Sequence, residues 1–356
     1  MPDHRPLDDH DDDASPSDLQ GSPGDSEAGS VTIYDVARLA GVNPSTVSRA
    51  LNKPGRVSAA TEKRIRAAAT TLNYHVNPMA RALPTGRTAI VGLLVSDFTN
   101  PVFFDVVRGA ESAATARGYT LVLAESEESD TKELEHANRL MRMVDGLILA
   151  TPRMPDDDIR ALAAQKPVTV VNRRVDGVLS VVPDLGSGIA DAVRHLRSLG
   201  HRRIAYLAGP ELSWMAGQRG ELLARRCEWA QLECIRLGPV APTIEGGRRS
   251  AQSIRESGVT AVVAYNDLVA IGLMQELAEA GIDVPAEISV LGFDDIFGAN
   301  LTSPTLTTIK SPLREEGEFS LTSLLSLIDV GSAVDRPLFE IETQLVVRAS
   351  TGPAAG

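Results

Sequence analysis

Between Thr32 and Asn73 the apolar residues recur at helical spacing in three short runs. Ile33, Val36, Ala37 and Ala40 make the first stripe, and Thr32 with Asp35 three residues on forms the capping box that starts it. Gly41 supplies a left-handed stop, and Asn43 and Pro44 at once provide the next N-cap and an N1 proline. On this second helix Val47, Ala50 and Leu51 form the buried side, leaving Ser45, Arg49 and Asn52 outward. A third run from about Ala59 to Asn73, N-capped by Ser58, closes a small core with Ile65, Ala68, Ala69 and Leu72 and carries Lys63, Arg64 and Arg66 on its rim. The stretch TIYDVARLAGVNPSTVSRALN therefore reads as a helix-turn-helix whose arginine-bearing polar face suits a major groove; a solvated helical hairpin is the plain alternative.

From Ala89 the pattern changes. AIVGLLV, YTLVLAES, DGLILA and PVTVVN are continuous apolar strands that alternate with the helices GAESAATARG, KELEHANRLMRM and DDDIRALAAQ. The alternation then restarts with GIADAVRHLRSLG, RRIAYLAG, a long helical region to about Arg236, SAQSIRESG, TAVVAYND, LVAIGLMQELAEAG and ISVLGFDD. LTTIK and FEIETQLVVRAS look like strands returning across the lobes. Such repetition predicts an α/β fold: a three-helix headpiece, a hinge, and two doubly wound lobes with a cleft between them. The expected boundaries are a tail at 1–30, headpiece 31–76, hinge 77–88, lobe one at 89–183 and 312–336, and lobe two at 184–311 and 337–356.

Charge sharpens the first part of this picture. The chain of 356 residues has a formal net charge of −12, which alone argues against nucleic acid. Residues 1–30, however, hold nine Asp/Glu against one Arg, whereas residues 31–90 hold nine Lys/Arg against two acids. A compact basic segment in an acidic protein is the footprint of one small domain that contacts phosphates. The tail, with DDHDDD and GSPGDSEAGS, is too polar to offset the entropy of ordering and is expected to be disordered; it either solubilises the chain or competes with DNA phosphates.

Other chemistry is largely excluded. GxSxG, P-loop, HExxH and dinucleotide-binding GxGxxG motifs are missing, the six histidines are scattered, and His201 in LGHRRIA reads as a turn residue, so no catalytic residue and no enzyme is expected. Cys227 and Cys234, seven apart on what reads as one helix, lie too far apart for a disulfide and lack zinc-type clustering, so no metal is expected. With no long apolar run and no leader pattern, the expected location is the cytoplasm, with no membrane partner.

With these elements in this order, the chain resembles the lactose repressor/galactose repressor family of bacterial transcription regulators from about Val31 to Thr351. The resemblance rests on TIYDVARLAGVNPSTVSRALN, RVSAATEKRIRAAATTLNYHVNPMARAL, TNPVFF, VDGLILA, HLRSLGHRRIAYLAGP, AVVAYNDLVAIGLM, ISVLGFDD and LTSPTLTTIK. It implies a sequence-specific regulator, more often a repressor, that binds a palindromic operator as a homodimer and is controlled by a small molecule in the cleft; no cofactor is implied. Lacking a C-terminal leucine heptad, the chain is expected to be a dimer rather than a tetramer.

The resemblance also assigns residues. Pro44, Ser45 and Arg49 would read bases, with Arg49 foremost because Pro44 and Ser45 are short, and Thr32, Thr46, Ser48 and Asn52 would mostly hold phosphates. Leu83 falls where the family's hinge helix wedges the minor groove, although Pro84 after it disfavours helical angles. Asn100, Phe103, Arg173, Asp184, Arg219, Asn266 and Asp294 fall at effector positions, with Trp214 a further aromatic wall, a set suited to a sugar or sugar derivative. Departures from the family's pattern are Val102, Asn172, Ser311 and the pair Leu222–Leu223.

Overall fold

The computed structural model describes residues 31–52, 56–74, 86–330 and 338–355. The expected disorder of the tail and the minor-groove role of Leu83 fall outside these residues. The chain divides into two compact units, Met1–Ala80 and Arg81–Gly356.

The first unit contains α1 (Ile33–Ala40), α2 (Pro44–Asn52) and α3 (Ala59–Thr71). Asp35 reaches back to the Thr32 amide at 2.9 Å and also accepts from its hydroxyl at 2.6 Å. Gly41 ends α1 at φ 63°, ψ 42°, a left-handed conformation that costs glycine little, and α2 begins two residues later on Pro44. Ser58 caps α3 through Thr61 N–H. The core is Val36, Ala37, Ala40, Val47, Ala50, Ile65, Ala68 and Ala69, so alanine dominates and the helices approach closely. Small side chains keep this core thin, and few residues carry its burial energy.

The second unit holds two six-stranded sheets. The first lobe comprises β1 (Ile90–Val95), α4 (Val102–Ala116), β2 (Thr120–Glu125), α5 (Asp130–Met141), β3 (Gly146–Ala150), α6 (Asp156–Gln165), β4 (Val168–Val171) and β5 (Leu179–Asp184). The second comprises α7 (Leu185–Ser198), β6 (Arg203–Leu207), α8 (Trp214–Trp229), β7 (Glu233–Leu237), α9 (Ile244–Glu256), β8 (Ala261–Ala264), α10 (Asp267–Glu279), β9 (Ser289–Asp294) and β10 (Thr307–Lys310). The chain then returns through α11 (Leu313–Val330) and β11 (Leu338–Glu342) and finishes with β12 (Gln344–Val346). Sheet orders are β11-β5-β4-β3-β1-β2 and β12-β10-β9-β8-β6-β7; the pairings are parallel except for β10 with β12. Fully buried strands such as IVGLLV explain the continuous apolar runs, because helices cover both faces.

Each lobe contains one very close helix crossing made possible by a pair of glycines. A Cβ on Gly109 of α4 would lie 2.0 Å from Arg314 O, and one on Gly317 of α11 would lie 2.0 Å from Val106 O. Gly247 of α9 and Gly272 of α10 do the same in lobe two, against Val269 O at 2.1 Å and Ile244 O at 1.9 Å. One buried apolar cluster continues through both lobes, from Val91, Leu93 and Phe103 to Ala205, Leu207 and Val269.

Three sequence expectations change. β11 pairs with β5, so the return to lobe two lies at Thr343 rather than at 336–337; Phe339 stacks edge-on against Phe319 with centroids 4.0 Å apart and holds the strand in lobe one. The helix expected to run to Arg236 stops at Trp229, where Gln231 adopts φ 55° and ECIRL becomes β7. Cys227 and Cys234 therefore sit on a helix and the adjoining strand instead of two turns apart on one helix, and both thiols are free. The apolar pattern also failed to single out β5, whose LSVVPD carries serine and proline.

Candidate functional site

On α2 the buried residues Val47 and Ala50 point into the headpiece core, which turns Ser45 and Arg49 to solvent. Pro44, Thr46 and Ser48 are half-buried beside them. Arg49 has no hydrogen-bond or ion-pair partner among the described residues, whereas Arg66 is tied to Glu62 at 2.8 Å and Arg38 to Asp35 at 3.0 Å. A guanidinium on an unencumbered helical face keeps its fork of donors available for a base edge or a phosphate. Thr32 differs from the sequence expectation in one respect, because its hydroxyl is already donated to Asp35.

The second candidate site is the cleft between the lobes, which in this conformation is narrow, with a cavity of only ≈ 30 Å³. Strand-end segments of both sheets line it, as expected for doubly wound sheets. Asn100 and Phe103 enter from the β1–α4 connection and α4, and Arg219, Asn266 and Asp294 from lobe two. Asn100 Oδ1 accepts from Val102 N–H at 3.2 Å, and Asn266 Oδ1 caps α10 through Val269 N–H at 2.9 Å. Both side chains thus keep a fixed orientation while facing the cleft.

Arg219 and Asp294 form the electrostatic centre. The buried guanidinium donates to Asp294 Oδ1 at 2.7 Å and to Tyr265 O at 2.6 Å, and it lies 4.3 Å from the Phe293 ring centroid. Burial disfavours its charge, but the carboxylate beside it prevails and raises its pKa. Next to this pair, Asp267 is pushed well above the usual carboxylate range by burial and by Asp294, and it accepts from Thr308 Oγ1 at 2.6 Å and Ile296 N–H at 2.9 Å.

Three expected residues are not brought to the cleft. Arg173 spends its guanidinium on Pro152 O, Met154 O and Asp156. Asp184 caps α7 through Gly186 N–H at 2.8 Å, and its carbonyl accepts from Thr343 Oγ1 at 2.6 Å, strapping two crossovers together. Trp214 begins α8 and packs against the lobe-two core, while its neighbour Met215 lines the cleft. Conversely, Ser96, Glu128, Thr151, Arg153 and Tyr265 line the cleft without having been singled out. Their signal was positional: Thr151 and Arg153 follow β3, and Tyr265 follows β8.

Backbone strain marks the same place. Thr151, Asn172 and Asp294 have φ of 55°, 60° and 104°, and all three line the cleft. Left-handed non-glycine residues persist where surrounding contacts over-determine them, and they concentrate at ligand sites. Among the described residues there is no cluster of potential metal ligands, and no helix is long and apolar enough to cross a membrane.

Comparison with known proteins agrees with this geometry. Residues 32–77 match the model of bacterial regulatory proteins, lacI family, and residues 193–351 match a periplasmic binding protein-like domain. The transcriptional regulator GalR of Escherichia coli strain K12 is 34% identical over 320 residues, covering 87% of this chain and 91% of its own. This chain belongs to the lacI family. The ribose operon repressor of Bacillus subtilis strain 168 is 33% identical, with 89% of this chain and 96% of its own covered. Among solved structures, the lac repressor dimer bound to operator and the anti-inducer ONPF aligns over 91% of this chain and 100% of its own, with a TM-score of 0.81 and 30% identity. The lacI-family member is accordingly a DNA-binding regulator of transcription with a helix-turn-helix and a two-lobed effector unit.

Proposed function

We propose that the protein is a homodimeric repressor acting in the cytoplasm, whose hold on a near-palindromic operator is set by a polyhydroxylated small molecule of the sugar class bound between the lobes. The observation that carries the DNA reading is Arg49 on α2, exposed and without a partner among the described residues. Arg49 pairs with guanine O6 and N7, Pro44 and Ser45 lie against neighbouring bases, and Thr32, Thr46, Ser48 and Asn52 engage phosphates. Leu83 takes the minor-groove wedge position. Asn100, Phe103, Arg219, Asn266 and Asp294 form the effector site, supplying paired donors and acceptors for hydroxyls and one aromatic face. Related proteins support the ligand class: a family member from Enterococcus faecium was crystallised with ribose, and a transcriptional regulator CelR with cellobiose.

In this mechanism the effector changes the angle between lobes, and the dimer converts that change into the spacing of its two headpieces. The two-state balance shifts only by the difference in effector affinity for the two lobe arrangements. Selection of binding sites from random duplexes by the purified protein is expected to enrich a palindrome. Arg49→Ala should weaken binding to that palindrome by about 1–3 kcal/mol and relax preference at one guanine per half-site. Enrichment of no palindrome, or full operator affinity in the variant, would refute the assignment.

A further inference from the structure

The first turn of α11 carries a carboxyl group that the fold leaves unengaged. Glu316 is fully buried, and among the described residues neither Oε1 nor Oε2 has a hydrogen-bond partner of good geometry. Ser311 Oγ, just before the helix, and Arg219 Nε are also buried without a partner. The groups acting on Glu316 are Asp294 and Arg219 of lobe two, the Asn172 amide at the end of β4, and Glu315 on its own helix. Asn172, Arg219 and Asp294 line the cleft, which places the unengaged atoms immediately behind its wall.

The other buried acids nearby each have at least one engaged oxygen, although Glu133 Oε1 also lacks a partner among the described residues. Glu133 Oε2 accepts from the Arg153 and Met154 amides, both at 2.7 Å. Asp267 is held by Thr308 and Ile296, and Asp294 by Arg219. The two buried arginines at the cleft are likewise taken, Arg153 by Glu128 at 2.8 Å and Arg219 by Asp294 at 2.7 Å. Glu316 therefore sits behind the cleft wall, and the cation that acts on it, Arg219, is already paired with Asp294. Burial, with Asp294 adding to it against Arg219 and Asn172, pushes its pKa up to about 8, so it rests as the neutral acid at pH 7. Neutrality removes the charge penalty but still leaves a buried O–H and C=O without the hydrogen bonds water would give.

A group that donates hydrogen bonds and brings a positive charge satisfies the Glu316 carboxyl oxygens and Ser311 Oγ better than a hydroxyl, while Arg219 stays paired with Asp294. We propose that Glu316 is the specificity-determining residue of the effector cleft, and that the effector is an amino sugar or amino polyol whose ammonium group docks on the Glu316 carboxyl with Ser311 Oγ accepting beside it. The proposal rests on the reading of the cleft as the effector site. On docking, the carboxyl O–H breaks and its proton passes to solvent, so neutral acid plus ammonium becomes a carboxylate–ammonium pair. Glu316 is closed off in this conformation, so docking requires the Asn172 side chain or the lobes to move aside. A ligand that holds them in that position is one that couples binding to lobe angle.

Calorimetric titration of the full-length protein with galactosamine against galactose, and glucosamine against glucose, tests this directly. At least one amine is expected to bind roughly tenfold or more tightly than its neutral twin, as a charge-assisted hydrogen bond would give. In buffers of different ionisation enthalpy, its binding should release close to one proton. Affinity should rise about tenfold per pH unit between about pH 5.5 and 7, where Glu316 still has to give up its proton. Glu316→Gln, similar in shape, should abolish the preference, the proton release and the pH slope; the wild-type comparison stands even if that variant fails to fold. Equal binding of the twins, absence of proton release, or binding of no amine overturns the proposal. Tight binding of a neutral sugar that Asn266→Ala weakens would leave the cleft reading standing while removing the amine. Sugar binding insensitive to Asn266→Ala would remove both.

Discussion

The headpiece and the cleft display their functional side chains in opposite ways. Arg49 stands exposed, without a partner among the described residues, on a helix whose buried side does the packing. Arg219 is buried, bonded to Asp294 and Tyr265, and wedged over Phe293. The first arrangement separates reading from folding, because a solvent-facing residue can change while the core behind it stays the same. The second merges them: the residues that would grip a ligand also hold the lobe together. Substitutions at the two sites should therefore differ in kind, with loss of affinity alone at Arg49 and loss of affinity and stability together at Arg219.

Arg219→Ala should produce the largest effect. It leaves Asp294 buried without its cation and beside Asp267, and removing one partner of a buried ion pair costs about 3–5 kcal/mol. Denaturant unfolding of the full chain should show the second unit weakened by that amount, with sugar binding lost as well. An unchanged midpoint would mean that water or neighbouring groups take over the guanidinium's place, and the merged-role description of the cleft would then fail.

Ile65→Ala probes the headpiece from its packed side. Ile65 is fully buried and is the largest member of a core otherwise made of valine and alanine. Truncating such a residue typically costs about 2–5 kcal/mol, a large share of what a three-helix unit of this size has. Operator binding should fall through loss of folded headpiece, with sugar affinity retained because the effector unit has its own core. The contrast with Arg49→Ala lies in how the two recover: added operator DNA should restore helicity to Ile65→Ala by mass action, whereas Arg49→Ala has no missing helicity to restore.

The same contrast decides how much the sequence could reveal. Headpiece residues declare themselves through local rules: Thr32 and Asp35 at capping-box spacing, Gly41 at a left-handed stop, Val47, Ala50 and Leu51 on one side of a helix and Arg49 on the other. All of these span fewer than about two helical turns, within reach of periodicity. Alternating strands and helices similarly made both lobes legible. The cleft depends instead on partners far apart in the chain, such as Arg219 with Asp294, and no local rule distinguishes Arg219, which meets the cleft, from Arg173, which is tied up by Pro152, Met154 and Asp156. Asp184 falls at an effector position by resemblance to the family, yet the crossover it sits on consumes its hydrogen bonds. Glu316 was invisible for the same reason: its lack of a partner is a property of the assembled lobes.

The smallest expected effect sharpens the boundary between exposed function and buried structure within the headpiece itself. Asp35 is half-buried, and Thr32 donates to it from its hydroxyl and its amide; these bonds, with Arg38 assisting against a small desolvation effect, hold its pKa below the ordinary 3.8. A carboxylate favoured in the folded state adds stability that is fully present above the unfolded pKa and fades as pH falls through the lower folded value. Asp35→Asn keeps the shape of the cap and removes the charge, so protection of the first-turn amides of α1 from hydrogen exchange should drop at neutral pH. In acid the wild type should lose protection until the two proteins converge, whereas the variant's own profile lacks that step. A variant that matches the wild type at neutral pH would show that the Thr32 hydroxyl is not committed to the cap and is free to reach a phosphate, moving Thr32 from the structural side of the comparison to the functional one.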